Sequence, residues 1–377
     1  MERLGLLVGG GPAPGINGVI EAAVRESKSL GVRAIGLLDG FKWLSKGKTD
    51  YIRTLTLQDV EGIEHRGGSI IRTSRHNPTK SEEEMEHVLR SLKSLGIRYL
   101  ITIGGDDTSH TARLLAERGK GTVSVAHVPK TIDNDLPLLS GVPTFGFETA
   151  REVGSELVRN LYEDAKTSPP RWYIVITMGR SAGFLGLSIA LSGGAPLALI
   201  PEEFKEGTPL SEIIDIIVSS IKNRLSHGLD YGVAVISEGV AMKISPSDFE
   251  YIEKVGRDEH GNIKLAEVPL GSVLKEKVSE ALSKEGIKMK LIHKDIGFEL
   301  RCSPPNAFDR EYTRRLGVGA AHFLIKRGGS GAMITIKDSE ILPVPLEDII
   351  DPVTGKTKVR RVDINGGYYR DILNLMR

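Results

Sequence analysis

The chain has 377 residues, 40% hydrophobic and 26% charged, with 50 lysines and arginines against 49 aspartates and glutamates. That length favours two lobes over one core, and a net charge of +1 points to neither nucleic acid nor an anionic membrane as a partner. The single cysteine, Cys302, excludes an internal disulfide and a multi-cysteine metal site. No apolar run nears the roughly 18 residues of a membrane span, and the N-terminus opens on a strand-like run rather than a signal peptide. A cytoplasmic protein is expected.

In chain order, an apolar run over residues 4–8 leads into Gly9-Gly10-Gly11-Pro12-Ala13-Pro14-Gly15 and a helical pattern over about 17–29. Strand, glycine loop and helix open a doubly wound parallel sheet, whose ligands bind beyond the carboxyl ends of the strands. Gly10 and Gly11 would let backbone N–H groups approach a phosphate; a plain βα turn is the competing reading. The loop is not a dinucleotide fingerprint, because Pro14 stands where the third glycine belongs. Gly47-Lys48-Thr49 and Gly355-Lys356-Thr357 are not Walker A loops either, since Lys42 and Ile350 replace the required earlier glycine.

A second strand covers 32–38. The stretch Arg66-Gly67-Gly68-Ser69-Ile70-Ile71-Arg72-Thr73-Ser74-Arg75 is a basic loop whose arginines suit a phosphate, or are solvated surface. A helix over 81–95 carries the acidic first turn Glu82-Glu83-Glu84. The strand 99–103 runs into Gly104-Gly105-Asp106-Asp107-Thr108 and a helix through Leu115. Carboxylates at a strand end beside a helix N-terminus suit Mg²⁺ and phosphate; helix capping by Asp107 and Thr108 is the alternative. The strand 122–128 then delivers Lys130-Thr131-Ile132-Asp133-Asn134-Asp135. Four strand ends should therefore bring together Gly10 and Gly11, Arg75, Asp106 and Asp107, and the Lys130–Asp135 stretch. That set implies a phosphate, a divalent cation and a base in one cleft.

After a helix from Glu148 to about residue 164, the strand 171–177 ends in Met178-Gly179-Arg180-Ser181-Ala182-Gly183, repeating the theme in a second lobe. Strands follow at 198–201 and 232–237, the latter ending at Glu238-Gly239. Residues 241–285 read as charged and irregular, with no assignable chemistry. A helix is expected over 308–327, and turn and edge structure over 351–362. Glu202-Glu203, Arg314-Arg315 and the nine histidines read as structural or solvated.

These pieces together resemble the phosphofructokinase family, and its pyrophosphate-dependent branch in particular. The resemblance rests on Gly10-Gly11-x-Ala13-Pro14-Gly15-x-Asn17, Gly104-Gly105-Asp106-Asp107-Thr108, Pro129-Lys130-Thr131-Ile132-Asp133-Asn134-Asp135, Met178-Gly179-Arg180-x-Ala182-Gly183, Ser237-Glu238-Gly239 and Arg301-x-x-Pro304-x-x-Phe308-Asp309. It implies two Rossmann-like α/β lobes with mostly parallel sheets and an active site in the cleft between them. Residues 1–146 with about 298–345 would bind pyrophosphate and Mg²⁺; residues 147–297 with about 346–377 would bind the sugar phosphate.

The resemblance also implies roles. Asp133 would be the general base for the 1-hydroxyl of fructose 6-phosphate, supported by Thr131 and Asp135, with Lys130 and Arg180 also at the reacting centre. Asp106 would hold Mg²⁺. Gly10, Gly11, Arg75, Asp107, Thr108 and Lys130 would line the donor. Thr131, Asp133, Met178, Gly179, Arg180, Glu238, Lys294, Phe298 and Arg301 would line the sugar phosphate, and Arg171 would reach that of a neighbouring subunit in a homodimer or homotetramer. ATP-using members usually carry glycine at the positions of Asp107 and Lys130, so pyrophosphate is the expected donor and the reaction should be readily reversible. An ATP-dependent kinase and a non-catalytic regulatory subunit of the same fold are the alternatives. Two departures leave sedoheptulose 7-phosphate open as an acceptor. Phe298 stands where many members have His or Tyr, and Ile292 where an arginine is frequent, with His293 or Lys294 as substitutes.

Overall fold

The structure, a computed structural model, describes residues 2–139, 141–257, 263–353, 355 and 357–376. Lys356, part of the rejected Walker-like stretch, and 258–262 of the irregular segment lie outside the described residues. The strands are β1 (Arg3–Val8), β2 (Arg33–Leu37), β3 (Ile52–Leu55), β4 (Ile97–Gly104), β5 (Ser124–Pro129), β6 (Arg171–Thr177), β7 (Leu197–Leu199), β8 (Tyr231–Ser237), β9 (Lys290–Ile296), β10 (Ala332–Lys337) and β11 (Glu340–Pro345). The helices are α1 (Ile16–Ser29), α2 (Glu82–Ser94), α3 (Asp106–Arg118), α4 (Phe147–Thr167), α5 (Phe184–Gly193), α6 (Leu210–Ser226), α7 (Tyr251–Lys254), α8 (Leu270–Lys284), α9 (Phe298–Arg301), α10 (Ala307–Ala321) and α11 (Gly367–Met376).

The chain divides into two units. The first holds Met1–Ile132, Leu136–Thr149 and Arg301–Val359; the second holds Asp133–Asp135, Ala150–Leu300 and Arg360–Arg377. In the first, seven strands run in the order β11-β10-β5-β4-β1-β2-β3. The strands from β10 to β2 are parallel, and β3 and β11 are antiparallel edges. The central strands bury both faces, which explains why β1, β4 and β5 read as continuous apolar runs. The edge strand β11 alternates and carries Pro343 and Pro345, residues a central ladder would not tolerate. Among the helices, α1 and α10 cross closely: a Cβ at Gly317 would stand 2.5 Å from the Val19 carbonyl. Glu21, buried at that crossing, takes both Arg25 and Arg314, so Arg314 is a structural residue.

The stretch 346–359, expected with the second lobe, packs in the first unit. Leu346 N–H donates to the Gly331 carbonyl at 2.9 Å, and the buried Thr357 hydroxyl lies 3.0 Å from that of Ser109.

The second unit has a four-stranded parallel sheet in the order β7-β8-β6-β9. One face packs Trp172, Ile174 and Ile176 against Ile213, Ile217 and Ile221 of α6 and Leu270, Leu274, Val278 and Leu282 of α8. The helix α8 corrects the irregular reading of 241–285. Its apolar stripe recurs every fourth residue, and Lys275, Glu276, Lys277 and Glu280 cover the exposed side, so the charge content hid the period.

Candidate functional site

The first unit gathers its share of the predicted residues at the carboxyl ends of three adjacent parallel strands, β1, β4 and β5. The Gly9 N–H donates to the Ile103 carbonyl at 2.9 Å, and the Lys130 N–H to the Gly104 carbonyl at 2.8 Å. The loop carrying Arg75 is stitched on beside β1: Gly10 N–H donates to the Ser74 carbonyl at 2.9 Å, and the Thr73 hydroxyl to the Gly10 carbonyl at 2.7 Å. Gly10 adopts φ +80, a conformation that L side chains resist. Gly9 and Gly104 both press on the buried Thr108 side chain, which leaves no room for a Cβ at either position.

Cationic heads surround the glycine turn. The side chain of Lys130 is buried, and its ammonium donates to the Gly11 carbonyl. A Cβ at Gly10 would stand 3.5 Å from that ammonium; one at Gly11 would stand 2.8 Å from an Arg301 nitrogen and 3.9 Å from an Arg75 nitrogen. Three cations thus face two glycines where a side chain would intrude, a set of donors whose chemistry suits phosphate oxygens. Arg301, expected with the sugar-phosphate residues, has this contact within the first unit.

The start of α3 faces the same strand ends. Gly105, not an aspartate, occupies the N-cap position, so the capping reading of Asp107 and Thr108 is not the arrangement found. Asp106 is exposed in the first turn, where hard carboxylate oxygens suit Mg²⁺ alongside phosphate oxygens. Among the described residues there is no cluster of three or more His, Cys, Asp or Glu to cage a metal. Mg²⁺ commonly needs only one or two protein carboxylates when phosphates supply the rest.

His127 is a residue the sequence reading passed over. It is fully buried, with Nε2 3.1 Å from the Gly104 carbonyl and Nδ1 2.9 Å from the Thr102 hydroxyl. A carbonyl only accepts, so Nε2 carries the proton and Nδ1 accepts from Thr102. Burial holds its pKa at about 3, with the charge of Lys130 adding to that effect and the Gly104 hydrogen bond opposing it. The Gly104 carbonyl therefore takes two donors, His127 and the Lys130 N–H, which locks the end of β4 to the end of β5.

Asp309 is likewise buried and unheralded except as a motif letter. Its carboxylate accepts the N–H groups of Gly146 and Thr149, each at 2.8 Å, and the Thr149 hydroxyl. Tyr312 donates to the Pro143 carbonyl at 3.0 Å, and Thr144 to the Thr131 carbonyl at 2.7 Å. The segment 143–149 is thereby tied to α10, and in turn fixes Thr131.

In the second unit, Asp133, Asn134 and Asp135 are half-buried, and Asn134 takes φ +57. The loop after β6 packs tightly against the one after β8. Gly239 N–H donates to the Gly179 carbonyl at 3.1 Å, and a Cβ at Gly239 would collide with the Arg180 carbonyl. Gly179 itself sits at φ +130. Glu238 begins the turn after β8 beside this contact. The Met178 side chain packs under Gly297, where a Cβ would come within 2.9 Å of it. The Arg180 guanidinium donates to the Ile263 carbonyl at 2.8 Å, linking it to the stretch that carried no assignable chemistry.

Along β9, His293 packs on Gly271 of α8 and lies 3.3 Å from the Ser272 hydroxyl. Ile292 and the exposed Lys294 share the opposite face. His293 is thus on the wrong side of the strand to stand in for an arginine at 292, whereas Lys294 is on the right one. Phe298 is 64% exposed and offers no polar atom.

Arg171 starts β6, at the opposite end of that strand from Met178, and pairs with Asp164, which also accepts from the Tyr173 hydroxyl at 2.5 Å. These two hydrogen bonds, Tyr173 first, hold the Asp164 carboxyl below its usual range. A cavity of about 900 Å³ in the second unit, lined by Leu197, Glu203, Ile216, Tyr369 and Leu373 among others, contains none of the predicted residues.

The phosphofructokinase family pattern matches residues 3–324. The chain belongs to the phosphofructokinase family. It is 48% identical over 373 residues to the pyrophosphate–fructose 6-phosphate 1-phosphotransferase of Thermotoga maritima, covering 98% of this chain and 89% of that protein. The likeness to the protein of that same name in Naegleria fowleri is 45% over 375 residues, covering 97% and 85%. The ATP-dependent 6-phosphofructokinase of Chloroflexus aurantiacus is 33% identical over 359 residues, covering 92% and 90%. Among solved structures, the pyrophosphate-dependent phosphofructokinase of Marinobacter aquaeolei superposes with a TM-score of 0.74 at 18% identity, covering 100% of this chain and 91% of that one, a likeness of fold.

Proposed function

We propose that this phosphofructokinase transfers a phosphoryl group from pyrophosphate to the 1-hydroxyl of fructose 6-phosphate, giving fructose 1,6-bisphosphate, and that it runs in both directions. The observation that carries the choice of donor is the buried Lys130 ammonium at the Gly10–Gly11 turn, with Asp107 in the first turn of α3. A compact ammonium suits the transferred end of pyrophosphate, and a carboxylate at 107 opposes the α-phosphate of a nucleotide by bulk and like charge. The relatives at 48% and 45% identity carry the pyrophosphate name, and the ATP name enters at 33%.

Phosphoryl transfer depends on positioning and on neutralising charge, with little covalent chemistry for the protein to do. In this reading Asp133 takes the proton from the acceptor hydroxyl, Thr131 and Asp135 support it, and Lys130, Arg75 and Arg301 neutralise phosphate oxygens. Arg180, Met178, Gly179, Glu238 and Lys294 hold the sugar phosphate. Asp106 would hold Mg²⁺ alongside phosphate oxygens, and the ion would supply further charge neutralisation. Arg171 acts in a neighbouring copy of a homo-oligomer, and the protein works in the cytoplasm. Among the described residues no helix is long and apolar enough to cross a membrane.

The test is a donor and acceptor panel on the purified protein. Turnover with Mg-pyrophosphate and fructose 6-phosphate, and none with Mg-ATP, is expected. Turnover with ATP alone overturns the donor assignment, and a preference for sedoheptulose 7-phosphate overturns the acceptor.

A further inference from the structure

We infer that Arg360 is a positioning residue for the acidic stretch Asp133–Asp135: it holds Asn134 in a left-handed turn, and that turn sets the carboxylates on either side. The inference rests on the reading of Asp133 as the base. The Arg360 Nε–H donates to the Asn134 carbonyl at 2.9 Å, its Nη2 donates to the Asn134 side-chain oxygen, and its own N–H donates to the Asp135 carbonyl at 2.7 Å. One residue at 360 thus contacts three oxygens of two consecutive residues. The planar guanidinium supplies two of these donors as a fork, which a lysine cannot reproduce. The guanidinium carbon also lies over the Phe184 ring, 5.5 Å from its centre.

The conformation being held needs holding. Asn134 stands at φ +57, a region unfavourable to a non-glycine residue, although asparagine enters it more readily than most. Such conformations persist where the surroundings over-determine them. Relaxation of Asn134 to a common conformation would rotate the peptide planes on both sides and swing Asp133 and Asp135 away from their present directions.

The residues after Arg360 extend the same brace. Val362 N–H donates to Glu202 at 2.9 Å, and the Glu202 carboxylate also accepts the Gly183 N–H at 2.9 and 3.0 Å. Tyr369 donates to the neighbouring Glu203, whose burial raises its pKa. Arg360 and Val362 therefore connect the acidic turn with the Gly183 N–H through Glu202, and Tyr369 ties the stretch to Glu203. This stretch lies past residue 324, where the family pattern ends.

Arg360→Met, Arg360→Lys and Asn134→Ala test the inference. A misplacement of the base should lower kcat by about 10–100-fold, with both KM values nearly unchanged. The Lys variant should fall with the Met variant, because the fork is lost in both. The double variant Arg360→Met/Asn134→Ala should lose little more than either single one, since all act on the same turn. Arg360→Met with near-normal kcat, alongside an inactive Asp133→Asn, overturns the role of Arg360 alone; a fully active Asp133→Asn overturns the reading beneath it. A raised KM with kcat intact also overturns positioning. If Arg360→Met does not fold, Asn134→Ala decides: alanine loses the side-chain oxygen and resists φ +57, and normal turnover in that variant overturns the inference.

Discussion

Lys130 and Asp133 are three residues apart, yet they are held in different ways. Lys130 sits at the end of β5 among backbone ladders, with Gly104, Gly11 and the buried His127 around it. Asp133 sits in a turn without ladder bonds, and its neighbour Asn134 is secured by a side chain 226 residues further along. In the first, the sheet sets the backbone position, from which the lysine side chain reaches the Gly11 carbonyl. The second depends on one arginine in the last part of the chain. A cation that must neutralise phosphate tolerates some latitude in direction, whereas a base must meet one hydroxyl along one line.

That contrast can be broken at either end. The largest effect is expected from Asp133→Asn, which should lower turnover by about 10²–10⁴-fold with substrate binding retained; isothermal titration with fructose 6-phosphate separates the two. Lys130→Met should instead act on the donor, raising the KM for pyrophosphate by about 10–100-fold, the size of one charge-assisted hydrogen bond. Initial rates at varied pyrophosphate check it.

Smaller effects belong to the supports. Asp309→Asn replaces an acceptor of three donors by a group that cannot satisfy them all, and should cost about 1–3 kcal/mol in urea unfolding. The smallest effect is the pH dependence that His127 contributes. Its folded pKa of about 3 lies below the ordinary 6.5, so the unfolded chain binds the extra proton between those values. Its contribution to stability is complete above about 6.5 and is lost as pH falls toward about 3. Urea midpoints measured across that window should show a shallower slope in His127→Gln.

The sequence made the first sheet legible because strands buried on both faces are continuous apolar runs ending in glycine. Ser81 opens α2 as that pattern suggests, accepting the Glu84 N–H at 3.4 Å. Gly10, Gly11, Asp106, Asp107 and Lys130 were legible for the same reason, since each follows a strand end, whereas Arg75 sits in a loop. The supports were not. Nothing in Lys358-Val359-Arg360-Arg361 marks the first arginine as the partner of an asparagine in a turn. Glu202 read as structural or solvated, and its structural part is to join two loop amides. Such partners are set by tertiary geometry over long sequence separations, where local periodicity carries no signal. Cys302 offered no chemistry in sequence; its backbone leaves no room for a side chain at Gly67, and Asn17 clamps that loop through the Arg66 carbonyl at 3.0 Å and the Ile70 N–H at 3.0 Å.

The pairing of β5 with β10 has a consequence for biosynthesis. Ala126 and His127 pair with Ala332 and Met333, so the middle of the first sheet waits for strands made about 200 residues later. At roughly 5–20 residues per second, the nascent chain carries β5 as an unpaired apolar edge for about 10–40 s. A ribosome-bound chain halted before β10 should therefore be the species most prone to associate with its neighbours.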